Sequence, residues 1–133
     1  MVCIQCQQKT QVINSRPQRR TNQQWRRRQC SNCNSIFSTT ESADYSAVWS
    51  IKRASRPLMQ FNRDKLLLSV YDSLKHRPKS LEDAAGLTNT VISKLSALAT
   101  NGILTPKQIA QTVQVALNRF DKAASVHYQA NHK

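Results

Sequence analysis

The sequence is poor in glycine and has no long apolar run. Only 2 of its 133 residues are glycine, so it has no glycine-rich loop whose amides could cradle a phosphate. Its apolar runs are short, such as Leu66-Leu67-Leu68, whereas a bilayer span needs about 20 residues. The N-terminal Met-Val-Cys-Ile-Gln-Cys lacks the basic-then-apolar pattern of a signal peptide. We therefore expect a cytoplasmic protein with no membrane partner.

Acidic residues are also scarce, with 7 Asp and Glu against 20 Lys and Arg and a net charge of +13. Such a surplus predicts a polyanionic partner, although a ribosomal or merely soluble basic protein is an alternative. The imbalance is greatest in residues 1–42, where seven basic side chains face Glu41 alone. We find no carboxylate pair and no nucleophile–base arrangement, so we expect no enzyme activity. The three histidines lie near helix ends or the terminus: His76, His127 and His132.

The composition changes near residues 42–46. All four cysteines and the arginine cluster precede this change, whereas the apolar patterns of a conventional core follow it. A segment of about 40 residues cannot bury enough apolar surface to fold alone, so the first region needs a metal or cross-links. We predict an α+β protein with a small antiparallel β domain over 1–44. A mostly helical domain with a short β-hairpin follows over 45–133.

In the second region, apolar residues alternate loosely with polar ones over Tyr45–Arg53, which predicts a strand there. A short return strand is expected over Leu58–Phe61. Asn62 is then a suitable N-cap for a first helix, and Arg77-Pro78 is expected to end that helix.

Two further helices are predicted from their start signals. Ser80 followed by Asp83 resembles a capping box, and Asn101-Gly102 is a suitable end for the helix that follows it. The stronger signal is Thr105-Pro106-Lys107-Gln108, which places proline at N1 and glutamine at N3. The core face of this last helix is expected to carry Ile109, Val113, Leu117 and Phe120.

The cysteines form two Cys-x2-Cys pairs, Cys3/Cys6 and Cys30/Cys33, separated by 23 residues. Each pair can form a zinc knuckle, a turn that directs both thiolates at one metal ion. Two knuckles can complete a tetrahedral site of four thiolates, which zinc favours. A redox pair and an iron–sulfur cluster are the alternatives. Because no open coordination position is indicated, the metal would serve folding rather than catalysis. Knuckles often have glycine with positive φ after the second cysteine, where this chain has Gln7 and Asn34.

Three strands are predicted around these pairs, over Gln11–Asn14, Trp25–Gln29 and Ile36–Thr39. Arg26, Arg27 and Arg28 lie directly before the third cysteine, and strand alternation sends the first and last of them to one face. Arginine binds phosphate and guanine in bidentate fashion, so the run predicts a nucleic-acid surface. The alternative is that these side chains only balance the thiolate charge.

Three motifs of the first region support an assignment: Val12–Arg16, Trp25–Cys30 and Phe37–Glu41. They resemble the zinc-ribbon half of the NrdR family, bacterial repressors of ribonucleotide reductase genes. The second region resembles the ATP-cone domain of that family. The motifs that carry this second resemblance are Ile51-Lys52-Arg53, Phe61–Lys65, Lys75–Pro78 and a last helix over Ile109–Tyr128.

The resemblance implies a structural zinc and a homo-oligomer whose state depends on ATP or dATP bound to the cone. It implies contact with double-stranded DNA through Arg16, Arg26, Arg27 and Arg28, and contact with nucleotide through Ile51, Lys52, Arg53 and Lys65. Because the chain lacks a glycine-rich loop, side chains would hold the phosphates, aided by helix amides near Lys65. The segment Ala54-Ser55 departs from the family, which usually has Asp-Gly or a similar pair there.

We therefore expect a nucleotide-sensing transcriptional repressor that hydrolyses no ATP. One alternative is a zinc-ribbon module that binds RNA or the ribosome without nucleotide control. Another is an assembly protein whose arginines face an acidic partner. DNA titration with and without dATP separates the three. The first predicts an affinity that responds to the nucleotide, the second an affinity that does not, and the third no affinity for DNA.

Overall fold

A computed structural model describes residues 1–132 of the chain. It has two compact units, Met1–Ala43 and a second that begins at Asp44. The first is an antiparallel β unit and the second is mostly helical, which confirms the expected α+β class. No helix among residues 1–132 is long and apolar enough to cross a membrane.

The first unit is a three-stranded antiparallel sheet in the order β1-β2-β3. All three predicted strands are present, and all are longer than expected. A register shift between Val12 and Asn14 leaves Ile13 as a bulge, which changes the partner that each later residue of β1 meets on β2. The strands are β1 (Thr10–Gln18), β2 (Gln23–Cys30) and β3 (Ile36–Ser42).

The first unit has almost no hydrophobic core. Its only fully buried residues are Cys3 and Cys30, whose exposed fractions are 1% and 0%. The aliphatic side chains of the strands, such as Ile13 and Ile36, are exposed, and Trp25 is only half-buried. Hydrophobic burial therefore contributes little to this fold, and its stability must come largely from the cysteines.

The second unit contains four helices and a small three-stranded sheet in the order β5-β4-β6. The pairing of β4 with β5 is antiparallel, as the predicted hairpin requires, whereas β6 pairs with β4 in parallel and was not predicted. The strands are β4 (Ser50–Ile51), β5 (Met59–Gln60) and β6 (Ile103–Leu104). The helices are α1 (Arg63–Ser73), α2 (Ser80–Leu98), α3 (Pro106–Phe120) and α4 (Lys122–Asn131).

The predicted strand over Tyr45–Arg53 is wrong in its length. Asp44 caps a 3-10 turn over Tyr45–Ala47, and only Ser50–Ile51 forms a ladder. The turn lets Tyr45 stack on Trp49, with ring centroids 4.2 Å apart, and Trp49 meets Phe61 edge-on at 5.2 Å. Packing of these rings in the core outweighs the strand propensity of the segment.

The helix-start predictions had mixed outcomes. Asn62 caps α1 by accepting hydrogen bonds from the amides of Asp64 and Lys65, as predicted. The helix start predicted at Thr105 is also confirmed, and Thr105 and Gln108 form both reciprocal hydrogen bonds of a capping box. The box predicted at Ser80 is wrong, since Ser80 is the first helical residue and no side chain caps α2.

The predicted helix ends lie too far along the chain. Helix α1 ends at Ser73, ahead of Arg77-Pro78, and α2 ends at Leu98 rather than at Asn101-Gly102. Gly102 has a φ of +74° in the tight turn that leads into β6. The Gly102 carbonyl accepts a hydrogen bond of 2.8 Å from the amide of Ser50, so this turn connects α2 to the sheet.

The helix predicted over Ile109–Tyr128 is broken at Asp121, which ends α3 and caps α4. Its carboxylate accepts hydrogen bonds from His76 at 2.8 Å, Arg77 at 3.0 Å and the Ala124 amide at 3.1 Å. The His76 bond, then the Ala124 amide and Arg77, hold the pKa of Asp121 well below its usual range. Phe120 was expected in the core, but it is 41% exposed and lies under the Arg77 guanidinium.

Candidate functional site

The four cysteines converge at one end of the first unit. Their sulfur atoms all lie within 4.8 Å of one another. The Sγ atoms of Cys3 and Cys33 are 3.7 Å apart, and those of Cys6 and Cys30 are 3.4 Å apart. A zinc ion with Zn–S bonds of about 2.3 Å would place its four sulfurs about 3.8 Å apart. The arrangement fits one tetrahedral metal ion, so these residues can hold a structural zinc.

The backbone around the two cysteine pairs repeats the same pattern of hydrogen bonds. The amide of Gln5 donates to Cys3 Sγ, and the amide of Asn32 donates to Cys30 Sγ, each at 3.3 Å. Amide donors of this kind stabilise thiolates and orient them toward a metal. Both pairs are therefore built as ligand-presenting knuckles rather than as one redox motif.

Each knuckle contains one residue with a left-handed backbone. Gln7 and Asn34 have φ values of 62° and 60°, at the positions where a knuckle commonly has glycine. These two residues therefore adopt the left-handed backbone that glycine commonly provides in a knuckle. Asparagine tolerates the conformation more readily than glutamine, so the first knuckle is the more strained of the two.

The thiols at the more exposed side of the cluster favour their charged form. The Ser35 hydroxyl lies 3.0 Å from Cys33 Sγ and, together with the Ser35 amide, lowers the pKa of Cys33 to about 6. The pKa of Cys6 is also lowered, first by the Gln8 amide and then by Cys30. Because the thiolate is the species that ligates zinc, these hydrogen bonds favour metal binding near neutral pH.

The arginines predicted to contact DNA lie on opposite faces of the sheet. Arg26 and Arg28 share one face, where Arg26 pairs with Glu41 at 2.8 Å and Arg28 donates to Thr39 at 3.4 Å. Arg27 points to the opposite face by strand alternation. Arg16 lies on that second face too, because it is directly opposite Trp25 in the register.

A cavity of about 700 Å³ opens in the second unit, between the hairpin and helices α1, α3 and α4. Of the residues predicted to contact nucleotide, Ile51, Arg53 and Lys65 line it. Lys52 does not, because its backbone alternates away from the cavity and its amide donates to the Leu104 carbonyl at 2.8 Å. The structure thus brings together three of the four predicted side chains.

Sequence reasoning missed other residues that line this cavity. Lys107, in the first turn of α3, adds a third cation beside Arg53 and Lys65. No acidic residue lines the cavity within the described part of the chain. Proximity of Lys107 to the hairpin depends on the parallel pairing of β6 with β4, which no local pattern indicates.

Two of the amides at the start of α1 are used by the helix cap in this structure. Asn62 Oδ1 accepts from the Asp64 amide at 2.9 Å and from the Lys65 amide at 3.1 Å. In this structure, the Asp64 and Lys65 amides are therefore already paired within the protein. A phosphate in this cavity would depend on side-chain cations instead.

The opposite wall of the cavity is formed by α4. The Tyr128 and His132 rings are stacked, with centroids 3.9 Å apart and an interplanar angle of 11°. Ser69 on α1 lies 2.9 Å from His132 Nε2, which ties the end of α4 to α1. Burial raises the pKa of Tyr128, so its phenol stays neutral.

The fold and the sulfur cluster define a zinc-ribbon protein with a second, mostly helical unit. Residues 1–41 match the family described as "Transcriptional repressor NrdR-like, N-terminal domain". The transcriptional repressor NrdR of Latilactobacillus sakei is 30% identical over 129 residues, covering 96% of this chain and 81% of that protein. The same-named protein of Afipia carboxidovorans is 32% identical over 119 residues, covering 90% and 74%. This chain belongs to the NrdR family, as its motifs predicted.

Proposed function

We propose that this protein is a nucleotide-sensing transcriptional repressor that binds double-stranded DNA upstream of ribonucleotide reductase genes. The observation that carries the proposal is family membership over nearly the whole chain, since the matched relatives are named transcriptional repressors. In this proposal the protein is not an enzyme, and it works in the cytoplasm, where its DNA is.

The first unit is suited to the DNA-binding part of this function. Zinc held by Cys3, Cys6, Cys30 and Cys33 would supply folding stability and no chemistry. Residues 1–43 contain seven basic side chains and one acidic one, so the fixed sheet presents strong positive charge. The DNA-contact arginines proposed from the sequence are Arg16, Arg26, Arg27 and Arg28.

The second unit is suited to binding an adenine nucleotide. A cavity of about 700 Å³ is in the size range of small-molecule sites, and apolar residues such as Phe61 form part of its lining. Arg53, Lys65 and Lys107 give it three positive charges with no acidic residue beside them. This combination of apolar wall and clustered cations matches the chemistry of a nucleoside triphosphate, either ATP or dATP.

In this proposal, nucleotide binding and DNA binding are thermodynamically linked through the oligomeric state. ATP and dATP would each favour a different homo-oligomer, and one of those oligomers would bind DNA more tightly than the other. The coupling must be reciprocal, so operator DNA would change the affinity for the effector by the same factor. The ATP or dATP would act only as a ligand, without hydrolysis.

The nucleotide site can be tested by calorimetric titration of ATP and dATP into matched variants. We expect Arg53→Gln and Lys65→Gln each to weaken binding by about tenfold or more, because each removes a charged hydrogen-bond donor to phosphate. Arg119→Gln is the control, since Arg119 is exposed, carries the same charge and does not line the cavity. Equal losses in all three variants would contradict a specific site.

The complete function is tested by DNA titration together with native mass spectrometry, with and without dATP. We expect one zinc per chain, bound nucleotide, and a DNA affinity that changes with the oligomer. Affinity for duplex DNA that ignores both nucleotides would favour an unregulated nucleic-acid module. ATP turnover that is lost in Lys65→Gln would contradict the absence of enzyme activity.

A further inference from the structure

The two faces of the ribbon sheet differ in what their side chains do. Residues directly opposite one another in a sheet share a face, and successive residues of a strand alternate. The register therefore assigns Gln24, Arg26 and Arg28 to one face with Glu41, which we name the Glu41 face. The other, named the Arg27 face, carries Arg16, Trp25, Arg27, Asn14, Ser38 and Thr40.

On the Glu41 face, polar side chains are engaged in cross-strand contacts. Arg26 forms its ion pair with Glu41, the only acidic residue of the first unit. Arg28 donates to Thr39 on β3, and Gln24 donates to Ser15 on β1 at 2.7 Å. These side chains brace β2 against both neighbours, and the charge of Arg26 is balanced within the protein.

On the Arg27 face, the cations have no such role. Within residues 1–132, neither the Arg16 nor the Arg27 guanidinium has a hydrogen bond or an ion pair with another side chain. Both residues are exposed, and no acidic residue lies on this face of the sheet. Exposed guanidinium groups without partners, held on a rigid sheet, are the groups that a phosphate backbone can engage at the lowest cost.

The spacing of these groups also suits an extended polyanion. Arg16 is opposite Trp25, and Arg27 is two residues further along the same strand as Trp25. Arg16 and Arg27 are thus diagonal neighbours, which lie about 7–8 Å apart in an antiparallel pair, with their Cβ atoms somewhat closer. The half-buried Trp25 indole lies next to both and offers an apolar surface for a sugar or a base.

We propose that the Arg27 face is the surface that contacts duplex DNA, through Arg16, Trp25 and Arg27. Arg26 and Arg28 then serve mainly to position β2 against its neighbouring strands. This inference rests on the proposed repressor function and narrows the four candidate arginines to two that touch phosphate.

The test compares two double variants that remove the same charge from opposite faces. Arg16→Gln/Arg27→Gln and Arg26→Gln/Arg28→Gln are each titrated with a fluorescent duplex DNA over a range of salt concentrations. Each phosphate contact contributes about 0.9 to the slope of log K against log salt. We expect the first variant to lose nearly two units of slope and the second to lose less than half of that.

Two further variants separate charge from folding. Arg16→Lys/Arg27→Lys should recover most of the slope, because it retains both charges on the same face. Glu41→Gln frees Arg26 from its ion pair and removes no cation, so it should not lower the slope. This variant therefore tests the Glu41 face even if Arg26→Gln/Arg28→Gln fails to fold. Zinc stoichiometry from native mass spectrometry checks that each variant retains its ribbon.

Each alternative outcome has a distinct meaning. An equal or larger slope loss in a zinc-loaded Arg26→Gln/Arg28→Gln variant would overturn the assignment of the DNA-binding face. It would not contradict the proposal that the ribbon binds DNA. Preference for single-stranded RNA over the duplex at equal salt would overturn the choice of partner. Failure of the wild-type protein to bind any duplex DNA would instead refute the proposed repressor function, whatever the variants do.

Discussion

Gly102 and Gly86 differ in what a side chain would meet at each position. Gly102 has a φ of +74°, and a Cβ added there would collide with the carbonyl oxygen of Val48. Gly86 lies in α2, and a Cβ added there has nothing within 4 Å. The first glycine is required by the turn into β6, whereas the second only adds conformational freedom to the unfolded chain.

Alanine at these two glycines should therefore change the free energy of unfolding in opposite directions. We expect Gly86→Ala to stabilise the second unit by about 0.5–1 kcal/mol, because alanine has the higher helix propensity. We expect Gly102→Ala to destabilise it by more than about 1 kcal/mol, through positive φ and the collision with backbone. Urea unfolding followed by circular dichroism measures both. A neutral Gly102→Ala would mean that the turn can move away from Val48.

At the residue scale, sequence predicted what is local and missed what depends on long-range pairing. The cluster of four cysteines follows from the knuckle spacing alone. Lys107 could not be placed beside Arg53, because the two meet only through strand pairings distant in sequence. Lys52 was expected at the cavity because its motif includes it, but alternation turns it away.

Helices α2 and α3 begin in different ways, although similar start signals precede both in the sequence. Thr105 forms a true capping box, in which its hydroxyl accepts from the Gln108 amide at 3.2 Å. Ser80 forms none, and the N-cap of α2 is Lys79 without a side-chain hydrogen bond. Asp83, the other member of the predicted box, accepts instead from Arg77 Nε at 2.8 Å. An ion pair with the loop that precedes α2 has thus replaced the expected cap.

Substitution of these two helix-start residues by alanine should have unequal effects. We expect Thr105→Ala to lower the free energy of unfolding by about 1 kcal/mol, which in a unit of this size lowers Tm by roughly 4–8 °C. We expect Ser80→Ala to change it by less than about 0.5 kcal/mol, since no cap is lost. Thermal melts of both variants give the comparison. Equal losses would show that Ser80 caps α2 in solution.

At the element scale, the ribbon strands were predictable because each contains β-favouring residues, in the segment between the two cysteine pairs or directly after the second pair. Their ends were not, because Pro17 and several glutamines continue the pairing without any apolar alternation. The bulge at Ile13 has no sequence signal either, yet it determines which residues of β1 share a face with Arg27. Register across strands is a property of pairing, and a single strand does not contain it.

The whole molecule consists of two units whose stability has different origins. The first buries only Cys3 and Cys30, whereas the second has a contiguous core built around Leu74, Leu95 and Leu117. Apparent zinc affinities of about 10–16 kcal/mol at neutral pH are ample to fold a small unit that has no core. Because the second unit has its own core, we expect it to fold without the metal.

Removal of zinc by a chelator should therefore unfold one unit and spare the other. We expect the amide resonances of residues 1–43 to collapse into the unfolded range while those of α1–α4 remain, as measured by NMR. Cys33→Ser should behave like the chelated protein, and Ser31→Ala, between two ligands, should retain zinc. Simultaneous loss of both sets of resonances would contradict independent stability of the second unit.

Apart from Cys30, the ribbon strands bury no side chain, which also bears on how their surface can change. In a sheet with a packed face, about half of the strand positions are constrained by the core, so new contacts evolve only on the other half. Here nearly every strand position outside the cysteine knuckles is at least partly exposed, on both faces. Apart from Gln24, Arg26 and Arg28, which brace β2, substitutions along β1–β3 should accumulate at little cost to folding. The ribbon can therefore acquire a new recognition surface while its fold stays the same.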